Sequence, residues 1–223
     1  MSDGGDAGGG AGAGAGTGRP SFPSLGGVAR GALSRPSWWG VDRVVLERKV
    51  LAIAPQFMVF DAEGALLLFC QQKLLALKED LRVYADETKQ VELLTIKARQ
   101  IIDFSAAYDV VDARTGDKVG VLRRRGLKSL VRDEWQLCDA DEQPFGTLRE
   151  TGAALLRRFL PIPQRFQLAL GDDVVGVIKQ SWNPFVFKAE MDLSADTMRR
   201  LDRRLALAMG LLLMAIDRRQ ASI

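Results

Sequence analysis

The feature that most constrains this chain is Leu205–Ile216, twelve consecutive apolar residues with no polar face. Ser194 suits an N-cap, Asp196 would lie in the positive first turn, and Arg218 and Arg219 suit the negative C-terminal end, so a helix is expected from about 194 to 219. A helix that is apolar on every side must be buried on every side. At 1.5 Å per residue the run covers about 18 Å, well short of the roughly 30 Å of hydrocarbon a membrane span must cross. Charges flank it closely at Arg203, Arg204 and Asp217. The expected environment is therefore a protein interior that surrounds the helix.

The rest of the folded chain reads as β. Val119-Gly120-Val121-Leu122-Arg123, Phe145-Gly146-Thr147-Leu148-Arg149 and Val175-Gly176-Val177-Ile178-Lys179 share one pattern of apolar, Gly, β-branched, aliphatic and basic residues, with glycines 26 and 30 residues apart. Each follows an aromatic-led run and a turn rich in Asp or Gly, which is the signature of a hairpin. A weaker copy runs from Phe57 to Cys70, and further strands are expected near 81–85, 91–99 and 185–191. The repeat glycines should mark a bend or a close backbone approach. About twelve antiparallel strands around one apolar helix give a closed β-barrel with the C-terminal helix inside, an arrangement that also leaves no sheet edge.

Composition removes most catalytic classes. The 223 residues contain no histidine, which excludes Ser-His-Asp and Cys-His nucleophiles and His-ligated metals. The two cysteines, Cys70 and Cys138, are too far apart in sequence for a CxxC pair and fit a reducing compartment. Neither cofactor nor metal is expected, and the chain is expected not to be an enzyme. Lys and Arg number 31 against 28 Asp and Glu, a balance unlike that of a dedicated nucleic-acid binder. No basic segment followed by an apolar one opens the chain, so a cytoplasmic location is expected, peripheral to the inner face of the membrane.

Residues 1–18 are almost entirely Gly and Ala and hold too little apolar surface to fold. With the Pro/Gly/Ser stretch to Gly40 they form a tail and linker over 1–40, and the barrel domain occupies 41–223. Trp38-Trp39 either docks on that domain or anchors at a membrane interface. The tail could also hold a protein partner.

The strongest charge feature is 123–132, where Arg123, Arg124, Arg125, Lys128 and Arg132 precede the first acid, Asp133. Guanidinium groups suit phosphates and the interleaved leucines suit acyl chains. The plainer alternative is a solvated hairpin connection with a basic edge. Arg157 and Arg158, between Leu155-Leu156 and Phe159-Leu160, make a second, smaller patch. Asp139, Asp141, Asp172 and Asp173 are read as turn formers rather than as an acid/base or metal set.

Several segments resemble the tubby-like superfamily, which includes tubby proteins, phospholipid scramblases and LURP-one-related proteins. Val174-Val175-Gly176-Val177-Ile178-Lys179 followed by Trp182 is similar to the last scramblase hairpin, and Leu201-Asp202 through Gly210 to Ile216-Asp217 is similar to the terminal helix. Leu122–Trp135, a basic run and a returning aromatic strand, is similar to LURP-one-related proteins. The resemblance implies a barrel over roughly 44–219 and a non-catalytic, membrane-peripheral protein that binds anionic lipid headgroups. Genuine lipid scrambling and a protein-interaction scaffold remain the alternatives. The chain lacks the cysteine-rich acylated stretch of scramblases. Glu190–Asp196, which lies where they carry an acidic segment, has neither the glycine nor the alternating oxygens of a calcium loop.

Overall fold

The computed structural model describes residues 37–49, 54–73, 80–99, 106–125, 134–151, 163–181 and 187–220. Twelve strands occupy this body: β1 Arg43–Lys49, β2 Gln56–Phe60, β3 Leu66–Gln72, β4 Asp80–Tyr84, β5 Glu92–Ala98, β6 Ala107–Asp112, β7 Lys118–Arg124, β8 Glu134–Cys138, β9 Pro144–Thr151, β10 Arg165–Leu170, β11 Asp173–Ser181 and β12 Phe187–Asp192. Each pairs antiparallel with its sequence neighbour, and β1 pairs with β12 to close the barrel. One helix, α1 (Arg203–Gln220), ends the described chain, and a short 3-10 turn, Ser37–Gly40, precedes β1.

Alternation explains how these sequences form a filled barrel. In β6, Tyr108, Val110 and Asp112 are buried while Ala107, Asp109 and Val111 are partly exposed. In β4, Leu81 and Val83 point inward between Asp80, Arg82 and Tyr84. With a period of two, one face is apolar, save Asp112 at the end of β6, and the other carries the charge. The inner faces close on α1, whose residues from Leu205 to Ala215 are all buried. Gly210 lies against the side chain of Leu46 on β1, where an added Cβ would meet Leu46 Cδ1 at 3.4 Å, an ordinary contact.

The repeat also sets the curvature. Five hairpins carry a register shift next to their turn, at Val59/Phe60, Val83/Tyr84, Val110/Val111, Leu137/Cys138 and Leu168/Ala169. In three of them the extra residue is the apolar one just before the repeat glycine, namely Val119, Phe145 and Val175. Bulges bend a strand and increase its twist, which a closing sheet requires. The repeat glycines then face crowded space. A Cβ on Gly120 would stand 2.5 Å from the Cys138 carbonyl oxygen and 3.2 Å from Leu205, one on Gly146 2.9 Å from Leu170, and one on Gly176 2.5 Å from Leu193. Close approach, and not a bend in φ, is the role of these glycines.

The helix begins later than its sequence suggests. Ser194 does not cap it; its hydroxyl and N–H bond to Asp192 Oδ1 at 2.5 and 2.9 Å. Asp196 instead accepts the N–H groups of Arg200 and Leu201 at 2.9 and 3.0 Å and so closes a loop before the helix. Arg199, in the left-handed region at φ 51, turns that loop. The cap is Asp202, whose Oδ1 accepts the Arg204 N–H at 2.8 Å while its carbonyl accepts the Ala206 N–H at 3.1 Å. Leu193 and Leu201, both buried, anchor the two ends of the loop in the core.

Trp38 and Trp39 dock on this end of the barrel. Trp38 is buried in the core cluster, and Trp39 packs against it edge-on at 5.7 Å. The Trp39 ring lies within cation–π reach of the guanidinium groups of Arg204 (5.0 Å) and Arg114 (5.4 Å). These two cation–π contacts, from arginines that share the Asp112 carboxylate, hold the ring in place.

Candidate functional site

An up-and-down barrel has two rims, and here they differ in charge. The five tight turns β2–β3, β4–β5, β6–β7, β8–β9 and β10–β11 lie at one rim together with the start of α1. Their carboxylates do turn work, as expected for Asp139. Asp61 Oδ1 accepts the N–H groups of Glu63 and Ala65, Asp86 Oδ1 that of Thr88, and Asp139 Oδ1 that of Gln143. Asp173 pairs with Arg200 at 2.9 Å. This rim is acidic.

Beneath it, buried carboxylates hold the helix start. Burial alone would raise the Asp112 carboxyl, but hydrogen bonds from Arg114 and Arg204 outweigh it and keep it below the ordinary carboxylate value. Asp196 behaves alike: burial opposes its charge, while the N–H groups of Leu201 and Arg200 and the Arg203 guanidinium at 2.8 Å keep it ionised.

The opposite rim is basic. Lys49, Lys73, Lys97, Arg125, Arg165 and Lys188 stand at or beside strand termini there, one each on β1, β3, β5, β7, β10 and β12. Lys73, Arg125 and Lys188 pair with the carboxylates of Asp80, Glu134 and Glu47 at 3.8, 3.1 and 2.6 Å. Lys49, Lys97 and Arg165 are exposed and have no ion-pair partner among the described residues. Sequence reasoning missed this ring. Its signal is a basic residue at the C-terminal ends of β1, β3, β5 and β7 and at the N-terminal starts of β10 and β12.

The residues singled out from sequence are distributed unevenly. Arg125 is on the rim. Arg124 follows Leu122 in alternation and turns inward, with its guanidinium 5.9 Å from the Trp135 ring centre. Arg123 faces the outer wall. Lys128, Arg132, Arg157 and Arg158 lie outside the described residues, on the β7–β8 and β9–β10 connections, which leave from the basic rim.

Arg123 belongs to a second cluster that sequence reasoning did not find. The turn between β8 and β9 brings Glu142 over the outer wall. There its carboxylate accepts hydrogen bonds from Arg99 at 2.6 and 3.0 Å, from Lys118 at 2.9 Å and from Arg123. Asp109 on β6 accepts two further bonds from Arg99, at 2.6 and 2.8 Å. The Arg99 and Lys118 hydrogen bonds hold the Glu142 carboxyl far below the usual carboxylate range. Glu142 has φ 65, a left-handed conformation that Gly64, Gly116 and Gly171 fill in three sister turns. That non-glycine residue at a glycine position was the available signal. An open groove of about 350 Å³ on the β11–β12–β1 wall is lined by Arg43, Lys179, Glu190 and Asp192, a balanced set that favours neither sign of ligand.

The family described as LURP-one-related matches residues 66–214, from the start of β3 to the last turns of α1. The chain belongs to the LURP-one-related family. That family is related to the tubby-like superfamily, whose barrel the strand order reproduces, and such barrels are generally non-enzymatic. No curated protein matches the chain. Among the described residues no group of three His, Cys, Asp or Glu side chains could hold a metal, and no helix is long and apolar enough to cross a membrane.

Proposed function

We propose that this LURP-one-related protein is a non-catalytic, membrane-peripheral protein that binds anionic lipid headgroups through the basic rim of its barrel. The observation that carries this reading is the opposition of the two rims, acidic turns at one and a ring of lysines and arginines at the other. A polarised molecule orients in the field of a negative bilayer, and each Lys or Arg near the surface adds about 1 kcal/mol. Arg125 is part of the rim, and Lys128, Arg132, Arg157 and Arg158 lie on connections that leave from it, so they would add to the same face. The leucines and phenylalanine beside them in sequence suit contact with acyl chains. Family kinship to tubby-like proteins supports a lipid-binding role.

Liposome co-sedimentation tests the reading. The wild-type chain should sediment with vesicles containing phosphatidylserine and not with pure phosphatidylcholine, and salt should release it. The triple variant Lys49→Gln, Lys97→Gln, Arg165→Gln should bind roughly a hundredfold more weakly. A second triple, Lys128→Gln, Arg132→Gln, Arg157→Gln, should do the same. Absence of wild-type binding, or binding indifferent to both triples and to salt, would reject the rim as a membrane face.

A further inference from the structure

The geometry points to a binding site for a phosphate monoester on the barrel wall, formed by Arg99, Lys118 and Arg123 and occupied in the resting protein by the carboxylate of Glu142. The three cations come from the end of β5 and from both ends of β7, yet all reach one carboxylate. That carboxylate arrives on a turn whose backbone is in a conformation glycine adopts freely and glutamate adopts at a cost. Three of the four sister turns place glycine in the left-handed position and reach no such cluster. The fourth places Lys89 there, whose ammonium donates to Gln71 Oε1 at 2.9 Å.

Charge indicates what could replace Glu142. Asp109 bonds Arg99 directly at 2.6 Å, and Lys118 stands 3.8 Å from it, so Asp109 would remain when Glu142 leaves. Three cations and one retained carboxylate leave two net positive charges. A phosphate monoester carries nearly two negative charges at neutral pH and offers three strong acceptor oxygens, whereas Glu142 supplies one charge and two oxygens. Arg123 has no carboxylate partner but Glu142 among the described residues, so it is the cation that displacement of Glu142 frees for the ligand. The Glu142 side chain is about one-third exposed, so it can leave without unfolding the wall behind it. Beneath the network Val121 and Cys138, paired across β7 and β8, are fully buried and give the site a dry floor on which charge-assisted bonds are strong.

This site lies on the wall and stands independently of the basic rim. Titration calorimetry with inorganic phosphate tests it on the full chain, with sodium chloride at matched ionic strength as control. Glu142→Gly should bind one equivalent of phosphate at least about tenfold more tightly than wild type, the scale of one charge-assisted hydrogen bond. Adding Arg123→Gln should abolish the gain. Should Glu142→Gly fold poorly, Glu142→Gln keeps the side chain's shape and should show the same gain. No gain in either variant, or a gain that chloride reproduces, would overturn the proposal and leave Glu142 as a structural clamp alone. Vesicles of phosphatidylcholine doped with phosphatidic acid separate the sources of phosphate. A matching gain on vesicles assigns a lipid headgroup, and a gain confined to solution assigns a soluble phosphate. The rim variants should leave phosphate binding in solution unchanged, so failure here does not touch the reading of the rim.

Discussion

Replacing Leu212 measures how far the barrel depends on its central helix. Leu212 has no exposed surface and sits midway along an apolar run enclosed by strands. Leu212→Ala removes apolar area and leaves a cavity whose lining cannot fully collapse, because the surrounding strands are hydrogen-bonded on both sides. Substitutions of this kind cost about 3–4 kcal/mol in rigid surroundings. For a domain of this size that lowers the melting temperature by roughly 10 °C. Urea unfolding followed by tryptophan fluorescence reports it, since Trp135 is fully buried. Leu212→Arg adds an unpaired buried cation to the lost packing, so this variant should not accumulate as soluble protein. Gly210→Ala, two residues away, should behave oppositely. Its new Cβ meets only the flexible side chains of Leu46 and Met191, at 3.4 and 3.7 Å, and alanine is the better helix former by up to about 1 kcal/mol, so stability should hold or rise. A Leu212→Ala variant within about 1 kcal/mol of wild type, or a Gly210→Ala variant that unfolds, would refute a filled barrel with the helix at its centre.

Three further outcomes follow from the same geometry. Gly120→Ala should cost about 3 kcal/mol in urea unfolding, because its Cβ meets a backbone oxygen at 2.5 Å that cannot swing away, whereas Gly176→Ala, opposed at 2.5 Å by the Leu193 side chain and by the Asp192 carbonyl oxygen only at 3.1 Å, should cost less. Asp196→Asn should cost about 3 kcal/mol by the same assay, since it strips the charge from a carboxylate paired with the buried Arg203, and a double-mutant cycle with Arg203→Met should recover much of the loss. Acid should destabilise the protein through Asp112, Asp192, Asp196 and Glu142, whose carboxyls are all held below their ordinary values in the folded state. Their contribution is fully present above the unfolded carboxylate range near pH 4 and is lost as pH falls through the lower folded values. With no histidine to titrate, melting temperature should stay flat between about pH 5 and 8.

The strands and the enclosed helix were legible because both rest on periodicity. A two-residue alternation can satisfy only one core face, and a run without any polar face can sit only inside. The repeat glycines announced close approach for the same reason, since a strand interior tolerates glycine poorly without one. The start of the helix was not legible. Ser194, Asp196 and Asp202 are all chemically fit to cap, and local preference cannot choose among them. The choice is made by Leu193 and Leu201, whose burial fixes where the loop begins and ends. The Glu142 cluster stayed hidden for a similar reason. Arg99, Lys118, Arg123 and Glu142 are scattered over 43 positions, and they converge only because a bulged hairpin turn folds over a neighbouring strand pair. Arg123, Arg124 and Arg125 read as one patch in sequence, yet strand alternation sends them to the wall, the interior and the rim.

Stability in this barrel is concentrated along its axis, and this frees its outer surface. The helix and the inward strand faces supply the apolar burial, and the buried carboxylates at the acidic rim, with Trp39 against Arg114 and Arg204, fix where the helix begins. The cations of the opposite rim contribute little to that framework, since exposed ion pairs rarely exceed about 1 kcal/mol and three of these cations have no carboxylate partner among the described residues. Neutralising Lys49, Lys97 and Arg165 should therefore change what the surface attracts without changing how the chain folds. The Glu142 cluster is intermediate. It ties one turn to two strands, so releasing it should loosen the β8–β9 hairpin locally while the axis stays intact. A gain of anion affinity with an unchanged unfolding midpoint would mean that the clamp restrains ligand access more than it supports the fold.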